Sequence, residues 1–140
     1  PLKRTLESGS DEPQTVDTGS SIAFSIGAGV STYQGLVALR ESDGMSILTD
    51  DDELRELQQL VGRTTGIYGE ASAVAAAAAV KTLREEDELD SDDTVVMMNT
   101  STGLKDTEMT AETLPAVPTV DPDLDDLRVT LDEEYGFETQ

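Results

Sequence analysis

The residues best placed to do chemistry lie at 94–106, TVVMMNTSTGLKD. Residues 94–98 form a short apolar run, which predicts a buried strand. Asn99, Thr100, Ser101, Thr102 and Gly103 are small, polar and turn-forming, and Lys105 and Asp106 follow. A strand that ends this way delivers hydroxyls to the carboxyl end of a sheet, where open α/β sheets bind their ligands. Glu70 is the second candidate, a carboxylate expected at the same sheet edge, just before an alanine-rich helix. Two plainer readings stand beside these. A strand end is polar wherever the chain leaves the core, and an acid before a helix complements the helix dipole.

The elements that must position these groups follow from spacing. Ser31 is a candidate N-cap for a helix carrying Tyr33, Leu36, Val37 and Leu39, with Gly44 as its stop. Thr49 with Asp52 suggests a capping box for a helix over 50–65, with Leu54, Leu57, Leu60 and Val61 on one face. Residues 66–69, Gly-Ile-Tyr-Gly, read as a short strand pinned by glycines. Residues 71–84 contain five consecutive alanines at 75–79 and predict a helix that can approach its neighbours closely. The alternation predicts an α/β fold, three-layered with parallel strands. Gly27-Ala28-Gly29 follows an apolar run and has the form of a phosphate cradle, but it lacks a third glycine, and a plain turn explains it equally. Three stretches result: a connector over 1–19, an α/β part over 20–106, and an acidic tail with three prolines over 107–140, expected to be partly disordered.

Composition narrows the chemistry. The chain has 140 residues, no cysteine and no histidine. Thiol nucleophiles, Cys/His zinc sites and a Ser-His-Asp triad are therefore excluded within it, and no metal site is expected. Thirty acids against nine bases give a net charge of −21, which argues against nucleic acid and against anionic membranes as partners. Such acidity fits either disorder or the surface of a protein adapted to high salt; the periodic segments favour a folded, halophilic 20–106. No run of 18 apolar residues or secretory leader is seen, and the absence of cysteine fits a cytoplasmic protein. The chain begins with Pro1 and is expected to be a piece of a longer protein.

Three stretches together resemble the C-terminal part of threonine synthase, a member of the fold-type-II pyridoxal-phosphate enzymes. They are residues 21–40 (SIAFSI at one end, VSTYQGLVALR at the other), 66–80 (GIYGEASAVAAAAAV) and 95–106 (VVMMNTSTGLKD). The resemblance implies pyridoxal 5′-phosphate as cofactor and part of the family's large α/β domain as fold. It places Thr100 at the position whose hydroxyl binds the cofactor's pyridine nitrogen, and Glu70 at a position near the ring. Ser101 stands where the family has glycine, Ala71 where it has proline, and the family's Arg-Ile-Gly-Asn-Pro is missing near Gly27. Cofactor-binding residues are thus Thr100, Glu70 and Ser101. The Schiff-base lysine and the phosphate loop are implied upstream of Pro1; Lys105 matches a structural lysine of the family instead. The implied activity of the complete enzyme is conversion of O-phosphohomoserine and water to threonine and phosphate, on a small amino-acid substrate and with a homodimer conceivable. This chain alone is expected to be inactive. A serine/threonine ammonia-lyase of the same fold and a truncated non-catalytic paralogue are the alternatives.

Overall fold

The computed structural model describes residues 1–137. Among the described residues six α-helices follow in order: α1 (Leu2–Ser8), α2 (Tyr33–Glu41), α3 (Asp51–Thr65), α4 (Ala71–Glu85), α5 (Thr107–Ala111) and α6 (Leu124–Tyr135). Two 3-10 turns, Phe24–Ile26 and Gly103–Lys105, complete the regular structure. None of these helices is long and apolar enough to cross a membrane.

The observed fold corrects the expectation of a three-layer α/β fold with parallel strands. Among the described residues there is no sheet. Extended backbone pairs at a single antiparallel bridge, Gly69 with Thr102. The apolar run at 94–98 is not a buried strand: Val96 is 80% and Met98 72% exposed. The segment at 66–69 contributes only the bridge residue. The physical reason is that a strand, unlike a helix, makes its backbone hydrogen bonds with other segments. An apolar run predicts burial on both faces only if neighbouring strands and covering helices exist. Among the described residues nothing covers this run.

Helices fare differently because their hydrogen bonds are local. The face of α3 buries Leu54 and Leu57, with Gln58 beside them, while Leu60 stays largely exposed. Asp50 is its N-cap, accepting from the Glu53 amide at 2.9 Å, one residue away from the expected Thr49/Asp52 box. Gly66 ends α3 in the left-handed region at φ 74°, which a Cβ would strain. For α2 the cap is Thr32 rather than Ser31, accepting from the Gly35 amide at 3.1 Å. Its last turn closes at Ser42, two residues before Gly44. Helix α1 falls in the stretch read as a connector; Thr5 anchors it, fully buried, its hydroxyl donating to Pro1 O and accepting from the Gln14 amide. Helices α5 and α6 lie in the stretch read as the tail, and α6 buries none of its residues.

Helices α3 and α4 pack face to face and make the main seam of the molecule. Alanine allows this approach: Ala71, Ala73, Val74 and Ala78 are buried on α4. Leu54, Val74 and Ala23 form the core cluster, flanked by Ile22 and Ala75. Asp51 binds the 21–22 segment to the start of α3, accepting from Ser21 Oγ at 2.6 Å and from the Ile22 amide. Ser72 Oγ accepts the Ser25 amide at 3.2 Å and holds the first 3-10 turn against α4.

At the far end of the seam Lys81 Nζ reaches Glu53 Oε1 at 2.8 Å, and Thr49 Oγ1 donates to Glu53 Oε2 at 2.7 Å. The Lys81 hydrogen bond, then the Thr49 hydroxyl, hold the Glu53 carboxyl below its ordinary value of 4.5. The Glu53 hydrogen bond and charge hold the Lys81 ammonium above 10.5. A depressed carboxyl stabilises the fold above its unfolded value and stops doing so as pH falls through its folded one. A raised ammonium stabilises below 10.5 and stops as pH climbs past its folded value. Urea melts across pH should therefore show Lys81→Met less stable than wild type between these limits and equal to it in acid below the Glu53 titration.

Candidate functional site

Glu70 sits where the chain leaves an extended segment and enters α4. Its residue is 3% exposed. Its carbonyl accepts the Ala73 and Val74 amides, as an N-cap carbonyl should. Its carboxylate makes no cap hydrogen bond, so helix capping does not account for the side chain. Oε2 lies 3.1 Å from Lys105 Nζ but has no aligned hydrogen bond among the described residues. The contact is an ion pair, and the oxygen keeps an open acceptor position.

A backbone seam brings the hydroxyl turn to this carboxylate. The Glu70 amide donates to Ser101 O at 3.2 Å, and the Gly103 amide donates to Tyr68 O at 2.9 Å. The Gly69–Thr102 bridge lies between them. Thr102 caps the Gly103–Lys105 turn, its Oγ1 accepting the Leu104 amide at 3.3 Å. Thr100 is exposed and Ser101 half-buried. The sequence candidates Thr100, Ser101 and Glu70 thus lie along one short seam, with Ser101 joined directly to Glu70 through the backbone. Joining positions 33 residues apart is what the β-bridge between Gly69 and Thr102 achieves here in place of a sheet.

Two glycines make the close approach possible. A Cβ on Gly69 would stand 2.7 Å from Asn99 Oδ1 and 3.1 Å from Val74 Cγ1. A Cβ on Gly103 would clash with Cε2, Cζ and Cδ2 of the Tyr68 ring. By contrast, Gly27-Ala28-Gly29 forms part of no cradle at this seam. Gly29 O accepts the Val16 amide at 2.8 Å, and a Cβ on Gly29 would come within 2.9 Å of Val16 O, so that glycine serves a chain-on-chain contact.

Sequence reasoning missed the groups that brace the site from behind. Gln58 is buried on α3; its Nε2 donates to Gly69 O at 2.8 Å, and its Oε1 accepts from Thr110 Oγ1 at 3.0 Å. Tyr68 Oη donates to the same Thr110 Oγ1 at 2.6 Å. This chain of hydrogen bonds fixes the Gly69 carbonyl and the Tyr68 ring, and so the seam itself. A polar Gln58 on the buried face of an otherwise leucine-lined helix was the available signal. The same three side chains line an open, mostly apolar groove of about 580 Å³ that runs on to Arg63 and Leu114. Thr100, Ser101 and Glu70 do not line that groove.

Comparison with known proteins identifies the family of the chain. The family described as pyridoxal-phosphate dependent enzyme matches residues 1–101. The threonine synthase of Methanocaldococcus jannaschii is 35% identical over 94 residues, 67% of this chain and 22% of that protein. The threonine synthase of Methanosarcina acetivorans is 29% identical over 134 residues, 91% of this chain and 32% of that protein. That of Halalkalibacterium halodurans is 30% identical over 112 residues, 80% of this chain and 30% of that protein. The chain spans less than a third of the length of each of these curated relatives, 22–32%. With the family matched over residues 1–101 of 140, the chain belongs to the pyridoxal-phosphate dependent enzymes.

Proposed function

We propose that this chain supplies the ring side of the cofactor site in a threonine-synthase-like lyase, whose complete form converts O-phosphohomoserine and water to threonine and phosphate. The observation that carries the reading is the seam that sets the buried Glu70 carboxylate beside the hydroxyl turn at 99–103. Three relatives named threonine synthase support it.

The residues present fit the aromatic edge of pyridoxal phosphate. Thr100 carries an exposed hydroxyl one residue before Ser101, whose carbonyl accepts the Glu70 amide, and the buried Glu70 Oε2 has no hydrogen-bond partner among the described residues. Thr100 would hold the pyridine nitrogen, Glu70 the ring's surroundings, and Ser101 the shape of the turn. When bound, the cofactor supplies the electron sink for bond breaking at the substrate carbons. Thr100 Oγ1 would donate a hydrogen bond without bringing charge, which favours an unprotonated ring nitrogen. A lone carboxylate there would hold a proton on that nitrogen. Glu70 does not take that part, because the Lys105 ammonium already balances its charge. A weaker sink suits elimination and replacement, where the leaving group shares the electronic work.

Of the three lysines, Lys81 pairs with Glu53 and Lys105 with Glu70. The resemblance assigns the lysine that carries the cofactor and the loop that binds its phosphate to the rest of the complete enzyme. The test is an assay of that enzyme and of this chain, each with added cofactor. Phosphate release from O-phosphohomoserine by the complete enzyme, and none by the 140-residue chain, is the expected result. Ammonia release from threonine without phosphate release from O-phosphohomoserine would assign the ammonia-lyase reading instead. The missing Arg-Ile-Gly-Asn-Pro near Gly27 favours keeping that arm in the assay.

A further inference from the structure

The Glu70–Lys105 contact is a part of the seam that the hydroxyl turn does not explain. The Glu70 side chain is 4% exposed and that of Lys105 51%. A carboxylate so far from water is costly unless cations or several donors compensate it. Here Lys105 Nζ, 3.1 Å from Oε2, is the compensating cation, and the carboxylate receives no bond from the amides of its own helix. Lys105 is also the last residue of the 3-10 turn, whose first residue, Gly103, is bonded to Tyr68 O. The ion pair therefore crosses the seam from the turn to the start of α4, alongside the backbone bonds Glu70 N–H to Ser101 O and Gly103 N–H to Tyr68 O.

We infer that Lys105 is a positioning residue: its ammonium holds the Glu70 carboxylate and clamps the hydroxyl turn onto the N-terminus of α4. The clamp fixes the spacing between Thr100 and Glu70, and its value to catalysis rests on the reading of these two as the ring-side pair. Lys105 sits on the exposed rim, so it can be replaced without opening a cavity in the core.

Amide hydrogen exchange in the 140-residue chain tests the clamp without any cofactor. In Lys105→Met the Glu70 and Gly103 amides should exchange about tenfold faster, while amides inside α3 keep their rates. Lys105→Arg should restore the wild-type rates. In a Glu70→Gln background, Lys105→Met should add nothing. Unchanged rates in Lys105→Met, or the same acceleration in the Glu70→Gln background, would overturn the inference. In the complete enzyme the absorption maximum of bound pyridoxal phosphate should shift in Lys105→Met and return in Lys105→Arg. Faster exchange with no such shift would uphold the clamp and remove Thr100 and Glu70 from the ring, so the two readings fail separately.

Discussion

Gly103→Ala should destabilise the chain by about 3 kcal/mol, the upper end of what an added methyl costs in a tight contact together with a lost hydrogen bond. The new Cβ would clash with the Tyr68 ring. The ring cannot yield cheaply, because its hydroxyl is bonded to Thr110 and Thr110 to Gln58. Moving it breaks the Tyr68–Thr110 bond and loosens the pair that fixes the Gly69 carbonyl. The backbone alternative is to lift the turn off the seam, which gives up the Gly103 N–H to Tyr68 O bond. Urea denaturation of the variant against wild type measures the loss. The steric reading requires Gly103→Ala in a Tyr68→Ala background to cost much less, since the ring is then absent.

The two long helices were legible in the sequence because everything that makes them is local. Leu54 and Leu57 recur at helical spacing, Asp50 to Glu53 supplies acids at the start, and the alanines of α4 need no partner to favour a helix. The cap positions slipped by one residue, Thr32 for Ser31 and Asp50 for Thr49, because neighbouring side chains of similar type compete for the same orphan amides. The sheet was misread for the opposite reason. Residues 94–98 carry the composition of a central strand, and composition says nothing about whether the partners of that strand are present. Helix α1 gave no periodic signal; its anchor is a buried threonine whose partners are its own first carbonyl and the Gln14 amide.

At the site, the order of the chain indicated that Glu70 and the turn at 99–103 belong together, and the resemblance suggested for what. The means of joining them could not be read. Glu70 to Ser101, Tyr68 to Gly103, Gln58 to Gly69 and Lys105 to Glu70 are contacts across 11 to 35 residues of sequence, each between residue types that are common elsewhere in the chain. No local pattern marks a glutamine as a brace or a lysine as a clamp. The glycines at 69 and 103 were legible as glycines, but only the Asn99 and Tyr68 side chains explain why a Cβ is excluded there.

Thr100→Val carries the largest expected effect on activity. Valine keeps the shape of threonine and removes the hydroxyl. If Thr100 Oγ1 holds the pyridine nitrogen, that nitrogen loses its hydrogen-bond donor. An unmet buried acceptor costs about 1–3 kcal/mol, which corresponds to about a ten- to hundredfold fall in kcat if the loss is felt in the transition state. Stability of the 140-residue chain should change little, since Thr100 is exposed in it. The measurement that bears on this most directly is the nitrogen-15 resonance of ring-labelled pyridoxal phosphate in the complete enzyme. Wild type should show an unprotonated, hydrogen-bonded ring nitrogen, and Thr100→Val should move that resonance toward the value of a nitrogen without a donor. Identical resonances in the two proteins, or a protonated nitrogen in wild type, would contradict the assignment of Thr100 to the cofactor ring.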